Sequence, residues 1–130
     1  MNDTQKYKRI VVKIGSSTMT HDTGKLNLYR LETLARVLSD LKNEGREIIL
    51  VSSGAVQAGT AKINFHRPTC TREKQALAAI GQNEIMKIYG KFFSLFGYTV
   101  AQLLLTGSDI EDEKRRANFH NTMFRLLELG

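Results

Sequence analysis

Apolar positions in this chain alternate between short continuous runs and stripes at helical spacing, and that alternation sets the expected order of elements. Ile10-Val11-Val12-Lys13-Ile14 is a β-branched apolar run closed by Gly15. Such a run predicts a strand buried on both faces, as in a parallel sheet. Leu31, Leu34, Ala35, Leu38 and Leu41 then recur at helical spacing, with Asn27 placed as an N-cap and Gly45 as the stop. Ile48-Ile49-Leu50-Val51 predicts a second buried strand, ended by Ser52-Ser53-Gly54. Residues 75–80 form a further helical stretch, and a separate one puts Ile85, Ile88, Tyr89, Phe92 and Phe96 on one stripe closed by Gly97. Residues 100–105 predict a third strand, and Phe119, Met123, Leu126 and Leu127 make one face of a last helix. The order β-α-β-α-α-β-α implies the α/β class, an open, mainly parallel sheet covered by helices. Three strands make a narrow sheet and the last helix runs straight to Gly130, so the sequence reads as interrupted.

Composition narrows the class. With 130 residues, 42% hydrophobic and 25% charged, the chain suits one soluble unit with one sizeable core. No apolar run approaches the roughly 20 residues of a membrane helix. The first ten residues lack the apolar segment of a secretory signal, so a cytoplasmic location is the expectation. A single cysteine, Cys70, excludes an internal disulfide and any CxxC motif, and reads as a structural thiol. His21, His66 and His120 lie far apart, and no metal site built from protein ligands is expected. The net charge of +6 would suit nucleic acid or an anionic small substrate. The charges are spread along the chain, however. The densest run, at residues 111–116, mixes signs and reads as a solvated helix start.

Two constellations carry candidate chemistry. In Lys13-Ile14-Gly15-Ser16-Ser17, a lysine sits near the C-terminal end of an apolar strand, where open α/β sheets place ligands. Gly15 would let a ligand approach the backbone, and Ser16 and Ser17 add hydroxyl and N–H donors, so the group could hold a phosphate. Alternatively, Lys13 is an edge lysine that snorkels to water. In Val51-Ser52-Ser53-Gly54-Ala55-Val56, a strand breaks into a small-residue helix whose first N–H groups could bind an anion. A capped strand-to-helix turn is the plainer alternative. Gly15 and Gly24-Lys25 do not make a P-loop: eight residues separate the glycines and Leu26 stands where Ser or Thr is required. Ser53 has no evident His–Asp partner and is not read as a nucleophile. The stripe from Tyr89 to Phe96 reads as core or subunit interface, and Asn118, Asn121 and Thr122 as ligand-binding or capping groups.

These pieces resemble a known family. Val11-Val12-Lys13-Ile14-Gly15-Ser16-Ser17, Val51-Ser52-Ser53-Gly54-Ala55-Val56, Lys74-Gln75-Ala76, Ala79-Ile80-Gly81-Gln82 and Gln102-Leu103-Leu104-Leu105-Thr106 stand in the order and spacing of the glutamate 5-kinases, in the amino acid kinase superfamily. The resemblance runs from about residue 8 to the end. It implies a truncated αβα sandwich and ATP-dependent phosphorylation of the γ-carboxylate of L-glutamate, the first step of proline biosynthesis, with Mg2+ accompanying ATP. It also implies a homo-oligomer. Lys13 matches the lysine that contacts the transferred phosphoryl group, with Gly15, Ser16 and Ser17 in the loop beside it. Ser53 matches the serine that binds glutamate, within the turn of Ser52, Gly54 and Ala55. The family pattern continues with a strand, an Asn-Glu-Asn-Asp stretch and the nucleotide-binding half, none of which is in these residues, so residues 1–130 are expected to be inactive alone. Gly107 departs from the basic residue that many relatives carry there. The rival readings are another carboxylate or carbamate kinase, or a basic nucleic-acid-binding domain. The latter would need clustered cations with exposed aromatics.

Overall fold

The computed structural model describes residues 7–130, which fall into two units meeting at Thr99 and Val100. In the first, β1 (Arg9–Ile14) leads into a short α1 (Ser16–Met19), then α2 (Leu28–Asn43), β2 (Glu47–Ser52), α3 (Ala55–Lys62) and α4 (Thr71–Leu95). The second holds α5 (Gly107–Glu111) and α6 (Glu113–Leu129). Among the described residues no helix is long and apolar enough to cross a membrane.

Local chemistry starts and stops α2 where the sequence places the signals. The Asn27 side chain accepts from the Arg30 N–H at 3.1 Å, satisfying one orphan donor of the first turn. Gly45 ends the helix at φ +88°, in the left-handed region that glycine enters without penalty. Leu31, Ala35 and Leu38 point inward and are buried.

β1 and β2 pair in parallel, with Lys13 opposite Val51 and Ile14 opposite Ser52. The Arg9 guanidinium holds the Glu47 carboxylate at 2.7 Å where the pair begins. The strands are not buried on both faces. Along β1, Ile10, Val12 and Ile14 are covered while Arg9, Val11 and Lys13 are exposed. Val11 is 60% and Val51 44% exposed. Within this unit helices cover one face, and the period-2 pleat leaves the other set of side chains outside.

Two further expectations are corrected. Residues 100–105 are not a strand; among the described residues the sheet has two strands. A short apolar run such as Val100-Ala101-Gln102-Leu103-Leu104-Leu105 is compatible with a strand, but only Val100 is β-branched, and a strand also needs a neighbour to complete its ladder. The helical stretches at 75–80 and 85–97 are one helix of 25 residues, α4. Gly81 stands between the two stretches without breaking the helix. It is instead the contact point with α3, where a Cβ would fall 1.7 Å from the Ala55 carbonyl oxygen and 2.5 Å from the Gly59 nitrogen. Gly59 faces back in the same way, its Cβ position lying 1.9 Å from the Leu77 carbonyl oxygen. The two glycines let α3 and α4 approach backbone to backbone.

In the second unit, Thr106 and Asp109 form a capping box at α5, and the Asp112 side chain caps α6 by accepting from the Arg115 N–H at 2.8 Å. The Asp109 carboxyl is held below its ordinary range, first by the Thr106 backbone N–H, then by the Thr106 hydroxyl and by Arg115. Phe119, Met123, Leu126 and Leu127 are the partly covered stripe of α6, and Leu129 is 67% exposed.

Candidate active site

Parallel pairing delivers the two candidate loops to the same edge of the sheet, since β1 and β2 both end there in register. The loops then touch. A Cβ on Gly54 would lie 3.5 Å from Ser16 Cα, 3.6 Å from Ser16 Cβ and 3.8 Å from Met19 Sδ. Gly54 itself sits at φ +96°, a conformation that disfavours any side chain, and is buried. It is the N-cap of α3 and no side chain caps that helix. The first N–H tied back is that of Ala58, to the Gly54 carbonyl at 2.9 Å, so the N–H groups of Ala55, Val56 and Gln57 precede the ladder at the helix's positive end.

Gly15 is different. Its φ of −84° suits any residue, and a Cβ there would find nothing within 4 Å. Neither backbone conformation nor packing within the chain demands glycine at this position. After it, the N–H groups of Thr18 and Met19 bond back to the Gly15 carbonyl at 3.1 and 3.3 Å, leaving those of Ser16 and Ser17 ahead of the turn. Lys13 stands one residue before the strand end on the exposed face, so its ammonium keeps its water and carries no burial cost.

The serines divide. Ser52 Oγ lies 2.9 Å from the Tyr89 hydroxyl on α4 and 2.9 Å from Met19 Sδ. Tyr89 and Met19 are 4% and 0% exposed. Burial raises the Tyr89 hydroxyl above its ordinary value, opposed in part by the bond to Ser52, so it remains protonated at neutral pH. Both serines are exposed; Ser52 is anchored by these contacts, and Ser53 follows it beside the start of α3. Tyr89 and Met19 carried no functional signal in the sequence. A tyrosine on an otherwise apolar stripe was the available clue, because a buried phenol needs a partner. Met19 offered none.

Lys13, Gly15, Ser16, Ser17, Ser52, Ser53, Gly54 and Ala55 thus all lie at one end of the two-stranded sheet. Gly24 and Lys25 sit apart, in a hairpin whose Gly24 backs onto Gln57 and Ala61 of α3. Asn118, Asn121 and Thr122 lie on α6 in the other unit, where the Thr122 hydroxyl donates to the Asn118 carbonyl at 3.0 Å. At Gly107 a side chain would meet nothing within 4 Å, so packing within the chain does not impose the departure there. Cys70 is exposed at the start of α4. Among the described residues no cluster of His, Cys, Asp or Glu could hold a metal ion.

Two small-residue loops gathered at the C-terminal edge of a parallel strand pair are the arrangement in which open α/β proteins place their ligands. The particular family follows from sequence comparison: residues 8–130 match the amino acid kinase family, and the chain belongs to it. It is 50% identical over 124 residues to a glutamate 5-kinase of Clostridium perfringens, covering 95% of this chain and 46% of that protein. A glutamate 5-kinase of Caldanaerobacter subterraneus is 51% identical over 123 residues, 94% of this chain and 33% of the relative. A third, of Clostridium acetobutylicum, is 45% identical over 135 residues, spanning 100% of this chain and 51% of that protein. The chain therefore spans about a third to a half of the length of the curated relatives it matches.

Proposed function

We propose that residues 1–130 carry the acceptor side of a kinase site that transfers the γ-phosphoryl group of ATP to the γ-carboxylate of L-glutamate. One observation supports this reading above the others: two donor-rich loops lie in contact at the end of a parallel strand pair, with Lys13 on the approach. Phosphoryl transfer asks a protein for alignment and for cancellation of spreading negative charge, rather than for covalent catalysis. In this reading Lys13 and the N–H groups after Gly15 face the transferred phosphoryl group. Ser53 and the turn of Ser52, Gly54 and Ala55 hold glutamate. The substrate carboxylate is itself the nucleophile, so no strong general base is required. Mg2+ accompanies ATP in this reading; among the described residues no group of three or more His, Cys, Asp or Glu is gathered for a metal, and a nucleotide-borne Mg2+ needs only one or two carboxylates beside the phosphates. The nucleotide-binding half belongs to sequence beyond these residues, and the whole enzyme works in the cytoplasm as a homo-oligomer.

The test uses the chain at full natural length in a coupled ADP-release assay. Glutamate-dependent turnover is expected, and turnover with carbamate or another amino acid instead would move the protein to a sister activity. Salt-sensitive binding of DNA or RNA without any effect of glutamate would favour the nucleic-acid reading. Lys13→Ala should lower kcat on the order of 10²–10³-fold, the usual cost of losing one donor aimed at transition-state charge. The KM for glutamate should change far less. Near-normal turnover would remove Lys13 from the reaction.

A further inference from the structure

A partly buried polar contact links the two loops to α4. Tyr89, on the middle of α4, is 4% exposed, and its hydroxyl lies 2.9 Å from Ser52 Oγ. Ser52 Oγ lies in turn 2.9 Å from Met19 Sδ, and the Tyr89 hydroxyl is 3.7 Å from the same sulfur. A thioether only accepts, and either hydroxyl can donate across the Tyr89–Ser52 contact, so one O–H donates to the other oxygen while the remaining one is within reach of Met19 Sδ. Met19 ends α1, directly after the Gly15–Ser17 loop, and Ser52 ends β2, directly before Ser53 and Gly54. The same sulfur lies 3.8 Å from the Cβ position of Gly54. One partly buried polar chain thus joins both loops to α4. Alternating large and small residues do not require this: phenylalanine at 89 would fill the same space without the hydroxyl.

We infer that Tyr89 is a positioning residue, which fixes the Ser52–Gly54 turn through its hydrogen bond to Ser52 and thereby sets the affinity of that loop for the acceptor carboxylate. The inference rests on the functional reading above. The phenol touches no substrate; it acts by restricting the backbone on which Ser53 is carried. Its burial keeps it protonated, so the neutral hydroxyl is present throughout the neutral range.

Tyr89→Phe removes one oxygen and keeps the ring. A typical buried hydrogen bond contributes on the order of 1 kcal/mol, about fivefold in an equilibrium constant. In the chain at full natural length, Tyr89→Phe should therefore raise the KM for glutamate several-fold, with kcat changed less than about twofold and the KM for ATP unmoved. Phe92→Leu trims a buried ring of α4 that has no polar atom. It should lower thermal stability at least as much while leaving both KM values near those of the parent. A second measurement needs no substrate: in hydrogen exchange, the amides of residues 53–55 should exchange faster in Tyr89→Phe than in Phe92→Leu. Unchanged KM and exchange in Tyr89→Phe, or an equal rise in Phe92→Leu, would overturn the assignment. If the parent protein shows no glutamate-dependent turnover, the functional reading fails. The exchange contrast still decides whether Tyr89 fixes the turn.

Discussion

At the scale of single residues, Ser52, which ends β2, and Ser53, which follows it, have different partners although they are neighbours in sequence. Ser52 is tied down by Tyr89 and Met19, while Ser53 stands at the head of α3. Ser53→Ala should therefore mainly raise the KM for glutamate with kcat nearly kept, because it removes a contact that is equal in the ground and transition states. Steady-state kinetics in which the KM for ATP rises instead would exchange the roles of the two loops. Another residue has a cost and no visible return: Ser39, on α2, is 2% exposed and its hydroxyl has no partner. Burying an unpaired hydroxyl disfavours folding by roughly 1–3 kcal/mol. Ser39→Ala, which also raises helix propensity, should shift the thermal midpoint upward. A lower midpoint would mean that the hydroxyl is paired in solution.

At the scale of elements, the close crossing of α3 and α4 fixes the direction from which α3 presents its N-terminus to the loops. Gly81 meets the carbonyl of Ala55, the first residue of α3, and Gly59 meets that of Leu77. In an exposed helix, alanine for glycine would stabilise by about 1 kcal/mol. Here the new methyl would have to displace backbone, since the contact distances are 1.7 and 1.9 Å. Gly81→Ala should lower stability by at least the roughly 1–3 kcal/mol of overpacking and raise the KM for glutamate as α3 is pushed away. A Gly90→Ala control on the same helix, where a Cβ meets nothing within 4 Å, should be neutral or stabilising. Equal unfolding midpoints for the two variants in denaturant would contradict the close crossing.

At the scale of the whole molecule, large apolar side chains remain uncovered in each unit. Val11 and Val51 are exposed on the sheet of the first, and Leu104 and Leu129 are 73% and 67% exposed in the second. A two-stranded sheet also has an unpaired edge on each strand. Exposed apolar surface and open edges favour association. Residues 1–130 alone should elute as species larger than the 14.7 kDa chain, increasingly so with concentration, and should show no glutamate-dependent ADP release. A concentration-independent monomer in sedimentation, turning over glutamate, would show that the nucleotide site needs nothing beyond these residues.

What the sequence determined by itself is what depends on near neighbours along the chain. The β-branched runs at 10–14 and 48–51, the Asn27 cap, the Gly45 stop and the stripe of α6 each stand where the local pattern puts them, because propensity, capping and periodicity act over a few residues. The two loops were legible for the same reason, as strand ends rich in glycine and serine. What only the tertiary structure decided depends on partners distant in sequence. Residues 100–105 are compatible with a strand but have no ladder, since pairing is a property of two segments. Gly81 is a contact that the local pattern does not mark, since the backbone of Ala55 and Gly59, distant in sequence, occupies the place of its missing side chain. The strand of Lys13 looked buried on both faces and is not, because the face that Lys13 shares with Val11 has no cover within its unit. Tyr89 looked like one more ring in a stripe. Its hydroxyl acquires a role only because parallel pairing and the α4 packing bring Ser52 and Met19, 37 and 70 residues away, to within hydrogen-bonding reach.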